Sequence, residues 1–230
     1  MVWLVRMSNR KELHKIKAGQ KRPDGLFGSF MTRTVSHYFA FGFFKIGFSP
    51  NLVSFLSFVL CAISAVLVVY NRSMVFLIIA AVIWWFGAIL DAADGDLARY
   101  INARSKFGGW FDSFLDRCKE FLIFAVFGYC AWIDYLNPLF LLLGMLSVFS
   151  NVMSGYVTDT KKLFLEGKRN PSLKVGKKFI FGMVDTRDFV VILSLFAGDL
   201  RIALFAYGTV FVLIVFGQIM MFCRRFGSEK

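Results

Sequence analysis

Cysteine is scarce in this sequence, and the cysteines present are not spaced to bind a metal or to form a disulfide framework. They show no C-x-x-C pair and no neighbouring histidine, and they lie at positions 61, 118, 130 and 223. Zinc sites and disulfide scaffolds both need grouped cysteines, so neither is indicated. The four cysteines lie within largely apolar runs, where cysteine usually serves as a small buried hydrophobic residue.

The N-terminal residues also do not resemble a cleavable signal segment, and we expect none there. The first apolar piece, MVWLV, is too short for the hydrophobic core of a signal peptide, and a polar, basic stretch follows it. We therefore expect residues 1–24 to form a basic cytoplasmic arm.

Charge is absent from most of the long apolar stretches of the chain. The composition is 57% hydrophobic with a mean hydropathy of +0.62, and a bilayer core needs about 20 apolar residues per helix. The runs are Leu52–Tyr70, Ser73–Leu90, Trp110–Trp132, Asn137–Val157 and Ile202–Cys223, with a shorter one at Phe189–Ala197 that needs its flanks. The sequence predicts an all-α integral membrane protein with six transmembrane helices in one membrane domain, residues 25–230.

Acidic residues are few, 15 against 27 lysines and arginines, and the basic residues are unevenly placed. They concentrate before Pro23, at residues 158–187 and at the C-terminus, whereas the connections at Arg72, 133–138 and Arg201 carry little charge. Basic loops stay cytoplasmic, so both termini and the acidic residues of positions 91–116 are expected on that side. The basic runs are also expected to attract the anionic headgroups of membrane lipids. Nothing resembles a groove-reading module, so no nucleic acid partner is expected.

An amphipathic pattern precedes the first apolar run. Apolar residues recur there near helical spacing, at Phe27, Phe30, Met31, Val35 and Phe39. This pattern predicts an N-terminal amphipathic helix lying in the membrane surface, although a helix packed against the bundle would look the same. Ser36 and His37 lie off the stripe, and His37 is expected at the surface. The SPN at 49–51 should end this helix and cap the next one.

Carboxylates collect where two of the apolar runs meet the cytoplasmic side. Asp91 and Asp94 are three residues apart at the end of the second run, and Asp112 and Asp116 are four apart at the start of the third. Residues at these spacings share a helix face, so two neighbouring helices can each present a pair. Four carboxylates near hydrocarbon need neutralising. Two Mg²⁺ or Mn²⁺ ions do this well and suit phosphoryl transfer.

Small and basic residues accompany the carboxylates. Gly95, Ala98 and Gly108 leave room for a ligand close to the backbone, and Arg99 could clamp a phosphate. Asp96 faces another side of the helix, so we expect it to be an ordinary acidic residue outside the site.

The pattern Asp91-x-x-Asp94-Gly95-x-x-Ala98-Arg99, eight residues, Gly108-x-x-x-Asp112-x-x-x-Asp116 resembles the complete signature of the CDP-alcohol phosphotransferase family. The resemblance implies transfer of a substituted phosphoryl group from a CDP-linked alcohol to a hydroxyl acceptor, with release of CMP. It also implies a homodimer. By the same resemblance, the metal ligands are Asp91, Asp94, Asp112 and Asp116, with Asp116 also the catalytic base, and the CDP site is formed by Gly95, Ala98, Arg99 and Gly108.

The segments RPDGLFGSFMTRTVS at 22–36 and DTRDF at 185–189 look most like the archaeal-type subgroup that includes di-myo-inositol phosphate synthase domains. Those domains are often fused to a cytidylyltransferase, for which residues 1–24 leave no room. The commoner outcome in the family is a phospholipid synthase using CDP-diacylglycerol or an ether analogue. A polyol phosphate is the favoured acceptor, because its phosphate could be bound by basic residues after the fourth run, namely Arg187, Lys174, Lys177 and Lys178. The alternative is that these residues only mark the cytoplasmic side of the membrane.

Two other classes fit parts of the pattern. Intramembrane prenyltransferases also bind a diphosphate through paired aspartates and Mg²⁺, but the Gly-x-x-Ala-Arg element is not typical of them. A membrane cation transporter would also carry intramembrane carboxylates. Against it, the carboxylates cluster at one end of the helices and the motif is not repeated within the chain.

Overall fold

The computed structural model describes residues 2–20, 32–164 and 183–227, and all regular secondary structure in these ranges is helical. The predicted all-α fold is thus confirmed. In chain order the helices are α1 (Val2–Ala18), α2 (Arg33–Ile46), α3 (Pro50–Tyr70), α4 (Met74–Tyr100), α5 (Lys106–Tyr135), α6 (Leu139–Phe164), α7 (Met183–Ala197), α8 (Arg201–Phe205) and α9 (Val212–Gly227). A π-helical segment, Ala206–Phe211, joins α8 to α9 without a break.

Three helices of the described chain are long and apolar enough to cross a membrane: α3, α4 and the Leu139–Val157 part of α6. Helices also lie at the other three predicted runs. Of these, α5 carries five charged residues between positions 112 and 120, and α7 is only 15 residues long. The apolar stretch of the last run, Arg201–Gly217, is likewise short.

Serine caps fix the starts of the two helices that border the acidic cluster. The Ser49 hydroxyl accepts a hydrogen bond from the amide of Leu52 at the start of α3, whose first residue is Pro50. Ser105 caps α5 in the same way, accepting from the Gly108 amide at 2.9 Å. Such caps satisfy amides that have no partner within the helix. Both helix starts are therefore held at one end of the bundle.

The α3–α4 pair packs closely behind the acidic residues. A Cβ on Gly87 of α4 would lie 2.6 Å from Cys61 Sγ on α3, so only glycine allows this approach. The Ser57 hydroxyl donates to the Gly87 carbonyl at 2.9 Å, and Ser64 donates to Ala80 at 2.8 Å. These bonds satisfy serine hydroxyls inside an apolar bundle, where an unpaired one would be costly.

Helices α5 and α6 touch through their backbones. A Cβ on Gly128 would lie 3.0 Å from the Cα of Gly144, and the reverse substitution would meet the same limit. The adjoining Phe124 and Phe127 are fully buried, in a core that continues into α7 and α8. Small residues that let helix backbones meet are a common device in membrane bundles.

The basic arm contains helix α1, which packs with α2 against α4. Ile16 of α1 is 1% exposed and joins a small core with Ala40, Val53 and Leu97. Helix α2 falls inside the predicted surface helix, although residues 21–31 lie outside the described part of the chain. Its buried residues include Ser36 and His37, so the expectation of a surface position for His37 was wrong.

Candidate metal and nucleotide site

Three carboxylates meet in the space between α4 and α5, two helices that both pack against α3. Asp91 and Asp94 come from α4 and Asp112 from α5, and one carboxylate oxygen of each lies within 4.8 Å of the others. The Ser54 hydroxyl of α3 donates a hydrogen bond to Asp94, which is 5% exposed and is thereby held in place. Three converging carboxylates at this spacing fit a hard divalent cation, which takes oxygen ligands.

Asp116, the fourth predicted ligand, lies one turn further along α5 and is not part of that group of three. Its Oδ1 is 2.8 Å from Lys119 Nζ and 4.0 Å from the guanidinium of Arg187. Asp116 therefore faces the same inter-helix space, next to positive charge.

Lys119 is a site residue that sequence reasoning did not identify. Its ammonium is 3% exposed and forms ion pairs with Asp91 on α4 and with Asp116 on its own helix. The only signal in the sequence was a lysine three residues after Asp116, in the charged first half of a run that is apolar further on. That spacing places both side chains on one helix face.

Arg187 is 2% exposed, and its guanidinium is paired inside the protein. Its Nη1 lies 2.6 Å from Glu120, and its Nε lies 3.1 Å from Asp188. The other three predicted acceptor residues, Lys174, Lys177 and Lys178, lie outside the described residues. Acceptor binding by this basic group remains a prediction.

A cavity of about 280 Å³ opens beside the carboxylates. All four residues predicted for CDP line it, namely Gly95, Ala98, Arg99 and Gly108, together with Asp94 and Asp112. The capped starts of α3 and α5 form another wall, and a Cβ on Gly108 would lie 3.1 Å from the Asn51 side chain there. The lining thus combines small residues, the two arginines Arg99 and Arg104, and two of the three grouped carboxylates.

Asp96 is buried and bound by donors from α2, from its own helix and from Gln20 just beyond α1, so the expectation that it is an ordinary acidic residue was wrong. Its carboxylate accepts from Ser36 at 2.6 Å, from Gln20 at 2.8 Å and from Arg33 at 3.2 Å. It also pairs with Arg99, one turn along α4. Asp96 therefore joins the α1–α2 region to α4 and fixes the arginine of the cavity wall.

The arrangement suits metal-assisted chemistry on an anionic ligand. Carboxylates supply the cation ligands, Arg99 supplies a fixed positive charge, and the small residues leave space between them. Positive charge aimed at a transferring phosphoryl group is the main source of catalysis in such reactions.

Known proteins share this pattern of sequence and fold. A profile of the CDP-alcohol phosphatidyltransferase family matches residues 48–222. A bifunctional IPC transferase and DIPP synthase of Archaeoglobus fulgidus is 32% identical over 114 residues, which are 50% of this chain and 21% of that protein. An archaetidylinositol phosphate synthase of Pyrococcus horikoshii is 36% identical over 76 residues, 33% of this chain and 38% of the relative. The matches thus span less than two fifths of these relatives.

A solved structure shows the same fold. The crystal structure of the Mycobacterium tuberculosis phosphatidylinositol phosphate synthase with CDP-DAG bound matches 81% of this chain and 94% of that chain, with a TM-score of 0.60 and 16% identity. The family resemblance seen in the aspartate motif is confirmed, and the relatives include archaeal proteins of the subgroup that residues 22–36 indicated.

Proposed function

The chain belongs to the CDP-alcohol phosphatidyltransferase family, and we propose that it transfers a phosphatidyl-type group from a CDP-alcohol to a hydroxyl acceptor and releases CMP. The observation that carries the proposal is the meeting of three carboxylates beside a cavity lined by Gly95, Ala98, Arg99 and Gly108. Asp94 and Asp112 belong both to the carboxylate group and to the cavity lining. A metal ion held by the carboxylates would thus lie next to a diphosphate bound in the cavity, as a metal-assisted transfer requires.

Asp91, Asp94 and Asp112 would hold Mg²⁺ or Mn²⁺, and we expect two ions in the working enzyme, the second with Asp116 as a ligand. Bound there, the ions would stabilise negative charge on the donor diphosphate and on the departing CMP. The carboxylate spacing supports this assignment.

The side chains of this protein would bind and orient the donor and would deprotonate the acceptor hydroxyl. Arg99, held by Asp96, would clamp a donor phosphate. Gly108 and Ala98 would leave room for the nucleotide. Asp116, beside Lys119 at 2.8 Å, would be kept ionised and would take the proton of the acceptor hydroxyl. The acceptor oxygen would then attack phosphorus while the bond to CMP breaks.

The proposed donor is CDP-diacylglycerol or an ether analogue, and the proposed acceptor is a polyol phosphate. The support comes from relatives, since one is an archaetidylinositol phosphate synthase and the structural neighbour was solved with CDP-DAG. A CDP-inositol-dependent synthase is the second candidate, because other relatives are IPC transferase and DIPP synthase proteins.

The proposed topology has six spans, with α2 in the membrane surface and with both termini and the site facing the cytoplasm. The basic arm of residues 1–24 precedes a single membrane domain, residues 25–230. A helix at each predicted run supports six spans, and the placement of basic residues supports the orientation. We expect the working unit to be a homodimer, as the family resemblance implies.

The test is CMP release by the purified protein in detergent with Mg²⁺ or Mn²⁺. Donors are CDP-diacylglycerol, its ether analogue and CDP-inositol, each combined with glycerol phosphate, inositol phosphate, inositol or serine. Release should require one acceptor and should collapse in Asp112→Asn and Asp116→Asn. The matched control is Asp134→Asn, at the far end of α5, where the carboxylate pairs with Arg72.

Two other experimental results would indicate a different class of protein. Pyrophosphate release from a prenyl diphosphate would indicate a prenyltransferase. Metal flux into liposomes, without nucleotide turnover on any donor, would indicate a transporter. Either result would overturn the proposed transfer.

A further inference from the structure

A lysine ammonium lies within the predicted metal site. Lys119 Nζ contacts Asp91 across the helix interface, lies 2.8 Å from Asp116 Oδ1, and lies 3.5 Å from the Ser57 hydroxyl of α3. The side chain is 3% exposed. Buried lysines are rare unless paired, and this one is paired with two of the four carboxylates of the site.

The four carboxylates are therefore not equivalent. Asp94 and Asp112 group with Asp91, whereas Asp116 is joined to Asp91 through the lysine. A cation between Asp91, Asp94 and Asp112 leaves the lysine pairs in place. A cation between Asp91 and Asp116 would need the position that the ammonium holds, and like charges at that distance repel strongly in a buried site.

The ammonium has a second position within reach. The Ser57 hydroxyl donates its own proton to the Gly87 carbonyl at 2.9 Å, which leaves its oxygen lone pairs as acceptors for Lys119. A lysine has a flexible four-carbon stem and three donors. A small rotation would keep the ammonium hydrogen-bonded to Ser57 while clearing the space between Asp91 and Asp116.

We propose that Lys119 makes the two cation positions of the site unequal. The first divalent ion binds Asp91, Asp94 and Asp112 with Lys119 in place, and the second binds between Asp91 and Asp116 only when the ammonium moves toward Ser57. Lys119 is thus a positioning residue that balances the charge of Asp116 until the second ion arrives. This inference rests on the metal-dependent function proposed above.

The experiment is a calorimetric titration of the full-length protein in detergent with Mn²⁺ alone. The wild type should bind one ion tightly and a second at least tenfold more weakly. In Lys119→Met, which keeps the length of the side chain and removes its charge, the second ion should bind at least tenfold more tightly than in the wild type. Lys45→Met is the charge-matched control, since that lysine is 45% exposed and pairs with Glu12; its titration should match the wild type.

Removal of Lys119 leaves two carboxylates without their shared partner, so folding needs its own readout. Thermal unfolding with and without Mn²⁺, also on Lys119→Gln, should show a larger metal-induced rise in the unfolding temperature in both variants than in the wild type. When Asp116→Asn is added to Lys119→Met, the tighter binding of the second ion should be lost.

Three results would overturn the inference while leaving the proposed function standing. These are two equal sites in the wild type, an unchanged affinity gap in the folded lysine variants, and a tighter binding of the second ion that survives Asp116→Asn. Mn²⁺ binding to none of these proteins would instead overturn both the inference and the metal-dependent function.

Discussion

Replacement of Asp96 by alanine should release the N-terminal helices and misplace Arg99. The carboxylate has no exposed side-chain surface, and it is bound by Ser36, Gln20, Arg33 and Arg99. Breaking a buried ion pair from one side costs about 3–5 kcal/mol. Here the lower figure applies, because Arg33 and Arg99 keep 24% and 16% of their side chains exposed and can regain water.

We therefore expect Asp96→Ala to weaken the packing of α1 and α2 on α4 by about 3 kcal/mol. Since about 1.4 kcal/mol is a factor of ten, the open state should become roughly a hundredfold more populated. Tryptic cleavage at the exposed Lys15 and Lys17 of α1 should accelerate accordingly, because cleavage tracks the open population when opening is fast. Asp96→Asn, which keeps an acceptor oxygen but loses the charge, should show a smaller effect.

Activity should change in parallel. With Arg99 no longer held, kcat/KM for the CDP-linked donor should fall at least tenfold, while Mn²⁺ affinity stays unchanged. Glu12→Ala is the control, because its pair with Lys45 is partly exposed and such pairs contribute about 0–1 kcal/mol. If Asp96→Ala were cleaved no faster than Glu12→Ala and turned over the donor normally, the role assigned to this buried carboxylate would be refuted.

Four further outcomes are expected. Gly144→Ala should lower the free energy of unfolding by about 1–3 kcal/mol, because its Cβ would lie 3.0 Å from the α5 backbone; Gly217→Ala, whose Cβ meets nothing within 4 Å, should not. Gly108→Val should raise the KM for the donor several-fold at constant Mn²⁺ affinity, and a matching loss of metal binding would contradict the placement of this residue in the nucleotide wall. EDTA should stop CMP release and added Mg²⁺ should restore it, whereas turnover in EDTA would rule out a metal-dependent transfer. Burial lowers the pKa of His37 below 6.5. The stability that the neutral imidazole contributes is therefore fully present above about pH 6.5 and is lost as the pH falls, because the unfolded chain takes up the proton first. The unfolding temperature of the wild type should thus drop relative to that of His37→Gln on going from about pH 7.5 to about pH 5.

The helices and the acidic group were predictable because their signals are local. Long apolar runs give the positions of α3, α4 and α6, and the serine before Pro50 gives the start of α3. The spacing of Asp91 and Asp94 puts both on one face of α4. The short connection between Tyr100 and Lys106 brings Asp112 of α5 to the same end of the bundle, so the grouping of the three was predictable.

The unpredicted features depend on contacts between distant residues. Asp96 is satisfied by Gln20 and Ser36, which are 76 and 60 residues away in the chain. Periodicity placed Ser36 and His37 on the polar side of α2, but both are buried in a helix that packs against α4, where Ser36 donates to Asp96. Lys119 was missed for the same reason, because its pairing with Asp91 becomes visible only when α4 and α5 are placed together in space.

The glycine contact between α5 and α6 has a mechanical consequence. Gly128 and Gly144 bring the two backbones into direct contact, with no side chain between them that could rearrange. We therefore expect α5 and α6 to move as one rigid body, and we expect a widening of the gap between α4 and α5 that admits a substrate to displace this pair together. Spin labels placed across α5 and α6 should then report a constant separation during turnover, while labels across α4 and α5 report the excursion.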